Sequence, residues 1–156
     1  DEKVITLTPL LHKDILYFGC YSGKFYAISV DDGDILWVFK TGGAIYSSPI
    51  AVDKSIYFGS DDGFIYSLED KTGKVNWQYK PPYPVLGSPL HAFKSIFITT
   101  DRSIISLNPA SGSVIWQNTF ESKLKTSASL AGDGLVLGLT NGDIVSVRNN
   151  IIELVQ

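Results

Sequence analysis

Acidic residues beside glycine are the first candidates for chemistry in this sequence. Carboxylates crowd together at Asp31-Asp32-Gly33-Asp34 and at Asp61-Asp62-Gly63, and Glu69 follows the second cluster. A calcium loop alternates its oxygen ligands over about 12 residues and ends in a bidentate glutamate. Neither stretch has that spacing, whereas Asp-Gly is the usual composition of a tight turn between strands. The pattern therefore predicts turns and no metal site.

Histidine and cysteine offer little more. His12 and His91 are the two histidines, and a metal site shared by them would need further ligands that the sequence does not place at matching positions. Cys20 is the one cysteine, so an internal disulfide is excluded. No neighbouring basic residue is placed to activate its thiol. All three residues are predicted to be ordinary strand residues.

Nucleophilic catalysis and phosphate binding lack their sequence patterns. Ser47, Ser48, Ser88 and Ser127 belong to a repeated pattern, and none lies in a nucleophile-elbow pattern or a phosphate-binding glycine loop. The net charge of −3 on 156 residues gives no electrostatic footprint for nucleic acid. No apolar run reaches the roughly 18 residues that a membrane-spanning helix needs. We therefore expect neither nucleic-acid binding nor direct membrane insertion.

The positions of these residues follow from a repeat of about 40 residues. Several landmarks share this period, with intervals of 40 and 39 residues for tryptophan and glycine and of 40 and 40 for proline. The landmarks are Trp37, Trp77 and Trp116; Gly33, Gly73 and Gly112; and Pro9, Pro49 and Pro89. The repeat predicts one domain over residues 1–156, with units at about 4–40, 44–80, 84–120 and 124–156.

Each unit reads as four short strands. In the second unit the predicted strands are 46–52, 56–60, 64–68 and 74–80, because β-branched and aromatic runs alternate with Asp- and Gly-containing turns. Four antiparallel strands in about 40 residues is typical of a propeller blade. The predicted fold class is all-β, a β-propeller of four-stranded antiparallel blades.

The repeat resembles the PQQ-like repeat family, which includes quinoprotein propellers and BamB-like propellers without a cofactor. The best matches to its signature are Ser47-Ser48-Pro49, then Tyr57 to Gly63, then Tyr66 to Trp77 with its Thr72-Gly73 pair. The resemblance covers essentially the whole chain. It implies that the once-per-unit tryptophan docks one blade on its neighbour, with the glycine allowing a close approach. The predicted docking residues are Trp37, Trp77, Trp116, Gly33, Gly73 and Gly112.

The quinoprotein side of the family implies a further ligand set that this chain does not match. Dehydrogenases of the family stack the quinone on a central tryptophan beside a calcium ion and a catalytic aspartate, often with adjacent cysteines. Here the tryptophans fall at the docking register, and Cys20 stands alone. We therefore predict that the protein is not an enzyme and binds no cofactor. If a cofactor is bound, PQQ is the one that the resemblance implies.

The number of blades in the complete ring stays open. The first predicted strand is Ile5 to Leu11 and the last is Ile151 to Gln156, so the four units begin and end at blade boundaries. Family rings resemble seven- or eight-bladed propellers. Four blades closing alone, two copies forming one ring, or a longer chain completing it are the alternatives.

The resemblance implies three functions. The preferred one is a non-enzymatic scaffold that mediates protein–protein interaction outside the cytoplasm, like the BamB lipoproteins of outer-membrane assembly. The others are a ligand-sensing domain of a membrane-bound kinase or similar receptor, and a fragment of a PQQ-dependent dehydrogenase. Protein partners are expected in the first case, presented with loops or exposed strand edges.

Overall fold

The strands of this chain form four separate antiparallel sheets. A computed structural model describes residues 7–155. The strands in this range, in chain order, are β1 (Leu10–His12), β2 (Ile15–Gly19), β3 (Lys24–Ser29), β4 (Ile35–Lys40), β5 (Ile50–Val52), β6 (Ser55–Gly59), β7 (Ile65–Glu69), β8 (Val75–Tyr79), β9 (Val85–Ala92), β10 (Ser95–Thr100), β11 (Ser103–Leu107), β12 (Val114–Thr119), β13 (Ser129–Ala131), β14 (Gly134–Gly138), β15 (Ile144–Arg148) and β16 (Ile151–Leu154).

Each sheet is a meander of four consecutive strands, and we call the sheets blades 1 to 4. The sequence prediction of an all-β propeller with four-stranded antiparallel blades is confirmed. Within residues 7–155 no helix is long and apolar enough to cross a membrane.

Apolar cores lie between successive blades, because each blade buries one face against the next. Blades 1 and 2 share a cluster in which the Phe25 and Phe58 rings stack with their centroids 4.0 Å apart. Blades 2 and 3 share a second cluster around Ile65 and Ile98, and blades 3 and 4 share a third around Ile104 and Leu137. A single blade has too little apolar surface of its own, so the blades stabilise one another.

The innermost strands differ in length from the prediction. In blade 2 the strand begins at Ile50 rather than at position 46. The Ser47 hydroxyl accepts a hydrogen bond from the Gly59 amide at 2.6 Å and donates to the Gly59 carbonyl, so a side chain replaces the backbone ladder here. Pro49 also has no N–H to donate. In blade 1 the strand runs over Leu10–His12, and the predicted start at Ile5 lies outside the described residues.

Blade 4 differs from the other three blades in the turn between its third and fourth strands. We call it the docking turn in blades 1 to 3, where it spans residues 29–34, 69–74 and 108–113. Each docking turn is followed by a register shift between the two strands, a β-bulge whose extra residue is Leu36, Asn76 or Ile115. In blade 4 only Asn149 and Asn150 join the strands, both at positive φ, and β15 pairs with β16 without a shift. The last predicted strand ends at Leu154, and Gln156 lies outside the described range.

Candidate functional site

Trp37 and Trp77 each pack on the docking turn of the next blade. A Cβ atom placed on Gly73 would lie 2.6 Å from the ring of Trp37, and one placed on Gly112 would lie 2.5 Å from the ring of Trp77. Both glycines also have positive φ, at 68° and 69°. Each tryptophan therefore contacts the glycine of the following repeat, not the glycine of its own repeat, and any side chain on that glycine would displace the indole.

In each of these two interfaces, a tyrosine hydroxyl donates a hydrogen bond to the same carbonyl oxygen as the indole N–H. Trp37 Nε1 and the Tyr17 hydroxyl both donate to the Asp70 carbonyl at 3.0 Å. In the next interface Trp77 Nε1 donates to the Pro109 carbonyl at 2.8 Å, and the Tyr57 hydroxyl donates to it at 3.1 Å. These tyrosines were not singled out in the sequence, although they recur 40 residues apart. We propose that the tyrosine, tryptophan and glycine together hold neighbouring blades in register.

Trp116 has a different environment. It is half-buried in the cluster between blades 3 and 4, and its Nε1 has no acceptor among the described residues. Blade 4 has no docking turn, since Asn149 and Asn150 alone connect its last strands. A cavity of about 290 Å³, bordered by Phe97, Asn149 and Asn150 among others, lies at this interface. The third predicted docking tryptophan therefore lacks the partner that the other two have.

Burial of Tyr17, and secondarily the Asp70 carboxylate, raises the pKa of Tyr17 from 10.0 to about 12. A pKa raised by folding means that stability is unaffected below pH 10, and falls as the pH rises towards 12 because the unfolded chain ionises first. The absorbance of the native chain minus that of Tyr17→Phe reports the ionisation of Tyr17. We expect the Tyr17 phenolate to form near pH 12 in the folded chain and near pH 10 in the urea-unfolded chain. Phenolate formation near pH 10 in the folded chain would contradict the burial of the Tyr17 hydroxyl.

The acidic clusters lie in turns, where Asp62 and Asp32 accept hydrogen bonds from nearby donors. Asp62 Oδ2 accepts from the Gly42 amide at 2.8 Å and from the Tyr66 hydroxyl at 2.7 Å, and Oδ1 accepts from the Phe64 amide. Asp32 Oδ1 accepts from the Asp34 amide. Among residues 7–155 no group of three or more histidine, cysteine and carboxylate side chains is placed to hold a metal ion. The carboxylates thus shape turns.

The remaining candidates also belong to the scaffold. His12 lies in β1 and His91 in β9, one residue apart in strand register, because His12 pairs with Ile15 at the start of β2 and His91 pairs with the second residue of β10, Ile96. Cys20 is fully buried. The Ser88 hydroxyl accepts a hydrogen bond from the Ser48 amide at 2.7 Å, which connects two successive blades. The Ser47 and Ser88 hydroxyls therefore have backbone partners within the described residues.

The outermost strand of blade 1 is a surface that the sequence reasoning missed. Ile35, Leu36 and Val38 of β4 are each between 47 and 52% exposed, and among the strands of residues 7–155 β4 pairs with β3 alone. In blade 2 the positions of Leu36 and Val38 are held by Asn76 and Gln78. The signal was present in the run ILWVF, in which apolar residues do not alternate with polar ones.

Charges flank this surface at both ends. Asp31, Asp32 and Asp34 precede β4, while Lys40 ends it beside its cross-strand neighbour Lys24. We call β4 with these flanking charges the blade 1 edge. It combines unpaired backbone groups, exposed apolar side chains and opposite charges at its two ends, which are the features that an added strand recognises.

Comparisons with known proteins agree with this architecture. The family model described as outer membrane protein assembly factor BamB matches residues 40–151, which is more than half of the chain. The chain belongs to the BamB family. No curated protein matches it.

Solved structures show the same fold at low sequence identity. BamB from Moraxella catarrhalis superposes with a TM-score of 0.80 at 18% identity, over 93% of this chain and 50% of that one. The designed protein Ika4 gives 0.79 at 14% identity, over 99% and 92%. The quinohemoprotein alcohol dehydrogenase from Comamonas testosteroni gives 0.80 at 13% identity, over 99% and 35%. The chain thus spans half the length of the BamB structure that it matches.

Proposed function

We propose that this BamB-family chain is a non-enzymatic, extracytoplasmic scaffold that binds other proteins at the blade 1 edge. The observation that carries the proposal is the exposed apolar strand β4, with Ile35, Leu36 and Val38 at about half exposure and no described strand paired with one side of its backbone. The description of the matched family, an assembly factor of outer membrane proteins, supports a partner that is itself rich in strands.

The chemistry of the edge specifies the partner segment. An extended segment would pair its backbone with β4, and apolar side chains on alternate positions would cover Val38 and its neighbours. An antiparallel segment would begin near Lys40 and end near Asp34. Charge complementarity therefore favours a segment with an acidic residue at its start and a basic residue at its end. Fully burying one valine or leucine side chain contributes about 1.5–3 kcal/mol. Leu36 and Val38 are each already about half-buried, so the pair together contributes about that amount and dominates the binding energy.

The second candidate function is a fragment of a PQQ-dependent dehydrogenase, which the fold of the quinohemoprotein alcohol dehydrogenase raises. The described residues do not fit the quinone. The indole rings of Trp37 and Trp77 pack directly on Gly73 and Gly112 of the docking turns. The ring face that contacts the glycine therefore has no space for a quinone. The carboxylate of Asp62 is occupied by donors from its own turn. We therefore assign no redox step to this chain.

A peptide titration tests the proposal. The probe is a fluorescein-labelled peptide, Glu-Val-Thr-Val-Thr-Val-Lys, followed by anisotropy. We expect saturable binding by the native chain and at least a tenfold weaker affinity for the double variant Leu36→Asn, Val38→Gln, which installs the residues that blade 2 carries, because each tenfold corresponds to about 1.4 kcal/mol. Both positions are exposed, so the free energy of unfolding should change by less than about 0.5 kcal/mol.

Two controls separate the outcomes. The matched variant Gln78→Val alters blade 2 at the position of Val38 and should leave the affinity unchanged. A peptide with its terminal charges exchanged should bind more weakly. Equal binding by the native chain and the double variant would refute the edge as the site. Dye reduction by the chain with PQQ, Ca²⁺ and an alcohol would favour the dehydrogenase instead.

A further inference from the structure

Two serines and an asparagine form a hydrogen-bonded group in blade 2. Asn76 Nδ2 donates to Ser55 Oγ at 3.1 Å and to Ser67 Oγ at 3.3 Å. Ser67 is fully buried, and Asn76 is the extra residue of the bulge between β7 and β8. One primary amide therefore provides the partner for two hydroxyls on neighbouring strands.

Blade 3 keeps both serines and has no asparagine beside them. Ser106 lies on β11 where Ser67 lies on β7, each opposite an aromatic residue of the second strand. Ser95 is the first residue of β10, as Ser55 is of β6. The extra residue of the bulge is Ile115, whose side chain has no hydrogen-bond donor. The two hydroxyls of blade 3 thus lack the amide that blade 2 supplies.

Blade 1 shows that the fold does not require hydroxyls at these positions. Its three corresponding residues are Ile15, Ala27 and Leu36, all of them apolar. Blade 1 therefore has an apolar group here and blade 2 has a bonded polar group. Blade 3 alone among these three blades combines the two hydroxyls with an apolar residue.

Both hydroxyls of blade 3 lie in the interior. Ser95 is 8% exposed and Ser106 is 2% exposed. Among residues 7–155 neither side chain has a hydrogen-bond partner. A buried hydroxyl without a hydrogen bond is unfavourable, and most buried polar groups in native proteins have a partner. We therefore expect a partner that is not among these residues.

The space for such a partner is the cavity of about 290 Å³ between blades 3 and 4, which both serines border. Phe97, Leu135 and Val147 form its apolar wall, and all three are buried. Asn149 and Asn150, the short turn of blade 4, border it as well. An apolar cavity of about 150 Å³ can bind benzene. This cavity is therefore large enough for an aromatic ring together with a polar group.

The charges at the cavity favour an uncharged ligand. Asp133 is the one ionisable residue that borders it within the described range, and its Oδ1 accepts from Arg148 Nε at 3.1 Å. A buried ammonium group without a carboxylate of its own is costly. A primary amide is neutral and has two N–H donors. Its carbonyl oxygen can accept a hydrogen bond from the side-chain amide of Asn149 or Asn150.

We propose that the cavity between blades 3 and 4 binds a small molecule in which a benzene-sized apolar group carries a primary carboxamide. The amide donates to Ser95 and Ser106, as Asn76 does in blade 2, and the apolar group packs on Phe97 and Leu135. This inference is independent of partner binding at the blade 1 edge.

A comparison of two ligands tests the inference. Benzamide and acetophenone have nearly the same shape, but acetophenone has a methyl group in place of the amide nitrogen. Saturation-transfer NMR of each ligand, titrated into the full chain, measures binding. We expect benzamide to saturate the native chain and acetophenone to bind about tenfold more weakly, because it cannot donate to the two hydroxyls.

Ile115→Asn is the first variant. It places in blade 3 the amide that blade 2 has, and Ile115 is 55% exposed, so the chain should remain folded. The new side chain should take both hydroxyls, and benzamide should bind at least about tenfold more weakly.

A pair of double variants separates ligand binding from a structural role. Ser95→Ala with Ser106→Ala should abolish the preference for benzamide over acetophenone and should not lower the unfolding midpoint, because no hydrogen bond is lost in the free chain. Ser55→Ala with Ser67→Ala should lower the midpoint, because Asn76 loses both acceptors. The second pair should leave benzamide binding unchanged.

Three results would overturn the proposal. They are equal affinities of the native chain for benzamide and acetophenone, unchanged benzamide binding by Ile115→Asn, and no saturable benzamide binding, which would mean that water alone fills the cavity. If a serine variant fails to fold, the two ligands compared on the native chain and on Ile115→Asn decide.

Discussion

Replacing Trp77 by alanine is expected to lower the free energy of unfolding by about 3–5 kcal/mol, the range for truncating a large buried aromatic side chain. Trp77 is 8% exposed, packs on Gly112 and donates to the Pro109 carbonyl. The substitution removes apolar contacts from both blades 2 and 3 at once. Urea unfolding followed by circular dichroism measures the effect.

Trp116→Ala is the matched control. Trp116 occupies the same register one blade later, is only half-buried, and has no hydrogen-bond acceptor for its indole among the described residues. Its truncation should cost less than that of Trp77 by at least the roughly 1 kcal/mol of a hydrogen bond. Equal losses for the two variants would show that the docking turn contributes nothing to stability.

Gly112→Ala is the second substitution with a large expected effect. A left-handed backbone costs a non-glycine residue about 1–2 kcal/mol, and the new methyl group would lie 2.5 Å from the Trp77 ring. Relieving that overlap adds about 1–3 kcal/mol. The sum, about 2–5 kcal/mol, should appear as a lower urea midpoint with an unchanged slope.

Gly33→Ala separates the two causes. Gly33 has the same positive φ, at 77°, but no described atom near a Cβ position. Only the backbone cost of about 1–2 kcal/mol should therefore remain. If Gly33→Ala destabilises the chain as much as Gly112→Ala, the close approach of tryptophan is not what selects glycine in the docking turns.

The sequence predicted the fold because its physical signals repeat. A single strand such as Ile65–Glu69 is ambiguous by itself, but a similar apolar run lies in each repeat, and the turn glycine before it recurs as Gly23, Gly63 and Gly142. Trp37, Trp77 and the docking glycines were predicted to be structural from this recurrence. The period did not predict which glycine each tryptophan contacts. Trp37 packs on Gly73 of the next repeat and not on Gly33 of its own.

Features that depend on contacts between distant segments were beyond the sequence reasoning. The early end of the ladder at Ser47 depends on a side chain replacing backbone pairing, which no propensity describes. The exposed edge around Leu36 and Val38 depends on a β-bulge and on which face is covered. The Tyr17 acceptor is 53 residues away in the sequence. Such properties emerge only when distant segments meet.

Hydrogen exchange of the chain bound to the labelled peptide is the most direct test of the proposed scaffold function. Strand addition gives partners to backbone amides on the open side of β4, so exchange of residues 35–40 should slow when the peptide saturates the native chain. Exchange of β8, the outer strand of blade 2, should stay the same. Slower exchange in β8 but not in β4, or unchanged exchange in both at saturation, would contradict a partner site at the blade 1 edge.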